Sequence, residues 1–215
     1  MYTQFQLAYL LALFFVTFFS IYLYLKEGKK QELLVVYLSI SFLLDFLMFI
    51  LQIFFTTTAQ FGFLYNIYIL FSGVFFLIYF NRNQIIKLKK LNTLIFGCFV
   101  TTFLVSIFNN FVEVNQIIGL SFAFLYILYS LIWFYGKIMS PDKNSIMDDP
   151  KFWVSSGLLF WGVFFILRII PRYLFNKVDA ELLIMSQSFF FCVNIIFYSI
   201  LLISLLKYKK ENEYD

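Results

Sequence analysis

Seven stretches of this chain are each about as long as a bilayer is thick and carry almost no charge. Roughly twenty apolar residues, rising about 1.5 Å apiece in a helix, cross the ~30 Å of membrane hydrocarbon. The stretches cover residues 5–25, 33–55, 61–80, 91–108, 117–136, 152–171 and 182–206. Inside lipid every backbone N–H and C=O must be satisfied within the protein, and an isolated apolar run this long does so only as a helix. Composition points the same way. Hydrophobic residues make up 62% and charged residues 13% of 215, Phe alone numbers 33, and mean hydropathy is +0.87. A soluble domain of this size has too little interior to hide so much apolar surface. The expected fold is an all-α polytopic membrane protein, a single seven-helix transmembrane domain over 1–215 with no soluble domain. A soluble enzyme, a nucleic-acid-binding domain and a disordered protein are excluded on the same grounds.

The basic residues orient the helices. Thirteen of the sixteen fall into four clusters that alternate threading brings to one side: Lys26, Lys29 and Lys30; Arg82, Lys87, Lys89 and Lys90; Lys137, Lys143 and Lys151; Lys207, Lys209 and Lys210. Only Arg168, Arg172 and Lys177 fall on the other. Lys and Arg are retained on the cytoplasmic side, so the N-terminus is expected outside and the C-terminus in the cytoplasm. The formal charge of +4 is thus a topology signal, spread over four short segments with anionic lipid contact as a side effect, and no nucleic-acid partner is expected. No basic residue precedes the first span and no small-residue cleavage site follows it, so it reads as an anchor and not a cleaved signal peptide. Abundant Phe, Ile, Asn, Lys and Tyr suggest an AT-rich genome, hence a bacterial inner membrane. Cys98 and Cys192 both fall within spans, where thiols behave as small apolar groups.

Several chemistries are missing. With no histidine in the chain, His-based haem ligation, zinc sites and acid–base catalysis are gone. The seventh span has no lysine to carry a Schiff base. No phosphate-binding Gly-rich loop, GxSxG elbow or HExxH motif is present. An intramembrane lipid hydrolase needs a second carboxylate or a metal cluster beside the single acid in the spans. No cofactor, metal or enzymatic activity is expected. Before the sixth span, Asp149–Pro150 reads as an N-cap followed by proline at the first helical position. The Asp148–Asp149 pair suits the positive end of a helix dipole and has a second reading as a docking element for a cytoplasmic partner.

Intramembrane polar groups are costly and therefore informative. In the second span Ser41, Asp45, Met48 and Gln52 share one helical face. The third offers Gly62, Asn66 and Gly73; the sixth Gly157, Trp161, Phe164 and Arg168; the seventh Gln187, Phe191, Asn194 and Tyr198. The fifth carries an aromatic stripe, Phe122, Tyr126, Tyr129 and Trp133, which reads as packing or a lipid interface. Asp45 is the only acid and Arg168 the only base inside a span, so a pair between them is the economical way to hold both, though Arg168 is also long enough to snorkel outward. The polar groups converge on the outer half of the bundle. Two readings stay open: interhelical hydrogen bonds that hold the helices together, or a ligand pocket built from Asp45, Gln52, Asn66, Arg168, Gln187 and Asn194.

Residues 148–167, DDPKFWVSSGLLFWGVFFIL, together with Asn194 and Tyr198 of the last span, resemble a Bacteroidetes-type family of seven-span bacterial inner-membrane proteins. The residues that carry the likeness are Pro150, Phe152, Trp153, Gly157, Leu159 and Trp161. The resemblance implies proximity to sensor histidine kinases and hence a signalling role; it brings no catalytic residue with it. The leading expectation is a membrane sensor or signalling accessory without its own output domain, binding a small or lipidic ligand in the outer-half pocket and passing the change to a partner such as a histidine kinase. A small-molecule or proton-coupled transporter is the alternative, with Asp45 as the cation site; a structural subunit of an inner-membrane complex is a third.

Overall fold

Each apolar run folds as one helix. The computed structural model describes residues 2–27, 31, 33–54, 61–82, 84–109, 116–141, 145–174 and 180–212. In chain order the helices are α1 (Tyr2–Glu27), α2 (Leu34–Phe54), α3 (Gly62–Asn81), α4 (Ile86–Asn109), α5 (Gln116–Met139), α6 (Pro150–Leu174) and α7 (Ala180–Asn212), with a single 3₁₀ turn at Ile146–Asp148. All seven are long and apolar enough to cross a membrane, and among the described residues there is no strand. The protein is an all-helical, multi-pass membrane protein.

Hydropathy marks the lipid-compatible part of each helix, and the helices outrun it. α4 begins at Ile86 rather than residue 91 and takes in Lys87, Lys89 and Lys90. α7 runs to Asn212, beyond 206. Lysine is a good helix former whose stem lies along apolar surface while its ammonium reaches water, so the helix has no reason to stop where the hydrocarbon does. The sequence also places the end of the sixth span at Pro171, yet α6 continues to Leu174. A proline forfeits one backbone bond and crowds the preceding turn, a loss that membrane helices tolerate when neighbours re-satisfy the freed carbonyl. Residues 56–60, 110–115 and 175–179, which include Lys177, lie outside the described residues, as do Lys29, Lys30 and Lys143. The side chains of Arg172, Lys209 and Lys210 lie outside them as well.

Packing is most extensive between α6 and α7, α1 and α7, and α5 and α6. α2 lies against α1, α4 against α5, and α3 fits between α4 and α5 while meeting α2 only sparsely. Rings bridge that last gap: the Tyr37 centroid is 5.2 Å from Phe75 and 4.8 Å from Phe76. The stripe on α5 turns inward, Phe122, Tyr126, Tyr129 and Trp133 all being buried, so packing and not lipid explains it. Where α5 meets α6 the backbones come so close that a Cβ on Gly162 would sit 2.9 Å from Ile127 Cγ1 and 3.1 Å from the Ala123 carbonyl. Small residues of this kind let membrane helices gain dispersion contact that lipid tails cannot match. Phe15, Phe46, Phe54, Phe108 and Met185 face outward. Cys98 and Cys192 are free thiols.

One end of the bundle is tied by charge. Asp149 Oδ1 accepts from the Lys151 amide at 2.9 Å, the N-cap geometry that Pro150 at the first helical position allows. Asp149 also pairs with Lys137 at the end of α5, and Asp148 with Lys207 on α7, each at 2.7 Å. Lys151 Nζ donates to the Arg82 carbonyl at 3.0 Å beyond α3. Between α1 and α2, Gln31 folds back and is buried against Ser20, whose Oγ donates to Gln31 Oε1 at 2.8 Å. Lys137, Lys151 and Lys207 thus meet at one end of the bundle, the lysine end.

Candidate functional site

At the opposite end the helices part around a cavity of about 450 Å³. Six of the seven line it. α1 supplies Gln6, Tyr9 and Leu10; α2 supplies Tyr37, Asp45, Met48 and Gln52; α3 supplies Tyr65, Tyr68 and Ile69. α5 adds Gln116, Gly119, Phe122 and Tyr126, and α6 adds Trp161, Phe165, Arg168 and Ile169. α7 contributes Gln187, Phe190, Phe191, Asn194, Phe197 and Tyr198. The volume is within the range of sites for small organic molecules, and the mix of many rings with a few convergent polar groups is typical of them.

The polar groups fall into three levels. Nearest the helix ends stand Gln6, Gln52, Gln116, Arg168 and Gln187. Gln6 Nε2 donates to Gln52 Oε1 at 3.0 Å, joining α1 to α2. The Arg168 guanidinium lies over the Phe190 ring, 4.6 Å from its centroid, a geometry in which the ring face stabilises the cation. Midway, Trp161 Nε1 donates to Asn194 Oδ1 at 2.8 Å and so locks α6 to α7. Phe165 stacks on Trp161 at 4.6 Å.

Deepest is a cluster of hydroxyls around one carboxyl group. Tyr9 Oη donates to Asp45 Oδ2. Ser41 Oγ and Tyr68 Oη are 2.8 Å apart, and Tyr68 Oη donates to Tyr37 Oη at 3.3 Å. Tyr198 stands beside Tyr9, ring centroids 5.9 Å apart, and Phe191 stacks on Tyr9 at 5.7 Å. Among the described residues nothing stands in good hydrogen-bond geometry to the buried hydroxyls of Tyr126 and Ser72, and buried polar atoms of that kind are where ordered water is accommodated. Towards the lysine end the bundle closes over a layer of fully buried rings and leucines, among them Phe76, Phe80, Tyr129, Leu201 and Leu205.

Five of the six residues proposed from sequence, Asp45, Gln52, Arg168, Gln187 and Asn194, line this single cavity. Asn66 does not. It is fully buried on α3, on the face it shares with Gly73, whose neighbours are Leu125, Phe96 and Phe99 of α4 and α5. On α6 the cavity takes Phe165 rather than Phe164. The economical pair of Asp45 with Arg168 is also not made: the carboxyl takes the Tyr9 phenol, and the guanidinium takes the Phe190 face. A phenol supplies the donor without desolvating a second charge, which a buried ion pair must do. Gln6, Tyr9, Tyr37, Tyr65, Tyr68 and Gln116 escaped the sequence reading, because a phenol is tolerated on any face of a membrane helix and α1 shows no polar stripe. Among the described residues no three His, Cys, Asp or Glu side chains lie together as metal ligands.

Comparison of the chain with protein-family models, with curated proteins and with solved structures finds no match.

Proposed function

We propose that this chain is a bacterial inner-membrane sensor or signalling accessory that takes a small or lipidic ligand into the cavity from the extracytoplasmic side. The observation that carries this reading is the cavity itself, walled by six helices, floored by Asp45 and its hydroxyls, and closed beneath by packed rings. A ligand lodged there touches α1, α2, α3, α5, α6 and α7 together, so its binding energy favours one arrangement of the helices over another. The lysine ends, tied through Asp148 and Asp149, then present a changed cytoplasmic face to a partner such as a histidine kinase. The Lys/Arg asymmetry and the resemblance to seven-span proteins near sensor kinases support the same assignment.

The test is extraction of the full chain with its own lipid annulus in polymer nanodiscs, followed by mass spectrometry of what leaves with it. A small molecule or lipid retained by the wild-type protein and lost from Asn194→Trp, which fills the cavity, is the expected result. An identical retained set in both proteins contradicts the reading.

One observation favours a second reading, transport. Ser72, Tyr129 and Ser155 are buried hydroxyls with no partner in good hydrogen-bond geometry among the described residues, and they continue below the floor, a seam that water would extend towards the lysine end. Ligand counterflow in proteoliposomes separates transport from sensing.

A further inference from the structure

We infer that the ligand is an organic ammonium ion, its charged nitrogen seated against Asp45 and its apolar body lying along the rings of α6 and α7. The inference rests on the reading of the cavity as a ligand site and adds the class of ligand.

Four observations converge on it. Asp45 is the only acidic residue within the apolar spans, and it faces the cavity. Tyr9 occupies Oδ2, while Oδ1 accepts nothing from the described residues. The one base among the lining residues, Arg168, is laid over Phe190 and leaves the carboxyl without a counter-ion of the protein's own. Around the carboxyl stand the rings of Tyr9, Tyr68, Tyr198 and Phe191.

A carboxylate in that setting is stabilised most by a cation that also tolerates desolvation. Organic ammonium ions do, because ring faces replace part of their hydration and a carboxylate supplies the charge partner. A small inorganic cation would instead need several oxygens on every side, and here rings take much of that space. Asp45 lies about nine residues from the end of α2, roughly 14 Å along the helix, so the ligand's body reaches from the floor to the level of Arg168. There the side-chain amides of Gln52 and Gln187 offer hydrogen bonds to a polar group such as a hydroxyl or carbonyl at the ligand's far end.

The experiment follows thermal unfolding of the purified full chain in nanodiscs, in potassium buffer, against three probes of similar size: 2-phenylethylammonium, 2-phenylethanol and 3-phenylpropanoate. The expected result is at least tenfold tighter binding of the ammonium than of either other probe, and loss of that preference in Asp45→Asn. If Asp45→Asn does not fold, the charge preference of the wild-type protein decides the matter alone. Equal or tighter binding of the alcohol or the carboxylate overturns the ammonium assignment and leaves the cavity standing as a ligand site. A shift of the same size on adding sodium chloride overturns it in favour of an inorganic cation. If none of the probes binds, the assignment falls, and the nanodisc mass spectrometry above then judges the ligand-site reading by itself.

Discussion

The bond from Tyr9 to Asp45 links α1 to α2 at the floor of the cavity, and removing it should be measurable. Tyr9→Phe deletes one hydroxyl from a buried ring and leaves the ring's packing on Phe191 and Tyr198 in place. A hydrogen bond to a carboxylate contributes roughly 1.5–3 kcal/mol in soluble proteins. Polar contacts between membrane helices measure lower, on average about 0.6 and at most about 1.7 kcal/mol, because the unfolded chain in the membrane also finds partners. The cavity keeps Asp45 partly exposed, which moderates the value further. The expected loss for Tyr9→Phe is therefore about 0.6–1 kcal/mol. The assay is a double-mutant cycle of Tyr9→Phe with Asp45→Asn, read by equilibrium unfolding in mixed micelles. A coupling near 1 kcal/mol is expected, since the two residues share the bond. Additivity within about 0.3 kcal/mol would show that the two side chains act independently and would refute the account of the floor.

Other outcomes follow from particular contacts. Gly162→Ala places a methyl against Ile127 and the Ala123 carbonyl and should destabilise by about 1–3 kcal/mol. Gly97→Ala, with nothing within 4 Å, should be neutral or stabilising by up to about 1 kcal/mol; thermal unfolding in detergent compares the two. Asp149→Ala removes both the cap of α6 and the pair with Lys137. It should cost roughly 1 kcal/mol, mostly from the cap and so largely unaffected by salt, because the pair is about a quarter exposed and screened. With Trp133 and Trp153 replaced by Phe, emission from Trp161, which lines the cavity, should change on ligand binding in wild-type Asn194 protein and stay constant in Asn194→Trp, Trp161→Phe controls corrected for the new indole.

How much of this was legible beforehand depended on what each residue costs in lipid. Seven helices follow from the length of the apolar runs, since no other backbone arrangement survives there. The inward faces of α2, α6 and α7 were legible because Asp45, Arg168 and Asn194 are expensive to expose, and helical spacing then carries Gln52 and Gln187 with them. Asn66 obeyed the same rule but is buried outside the cavity, because cost alone says that a side chain turns inward and not towards which neighbours. The tyrosines stayed hidden for the opposite reason. A phenol is cheap in a membrane, so nothing in the sequence separates Tyr9 or Tyr68, which meet at the floor, from Tyr22 on the lipid face. Helix ends were blurred where lysines continue α4 and α7 into water, and at Pro171, where α6 does not stop.

The central claim is that the polar cavity opens at the end of the bundle away from the lysines. Side-specific labelling tests it directly. With Cys98 and Cys192 replaced by Ala, single cysteines at Gln187 and at Lys207 are exposed to a membrane-impermeant maleimide in right-side-out and inverted vesicles. The account predicts that Gln187→Cys reacts only from the extracytoplasmic side and Lys207→Cys only from the cytoplasmic side. Reaction of both from the same side, or of Gln187→Cys only in inverted vesicles, would contradict it.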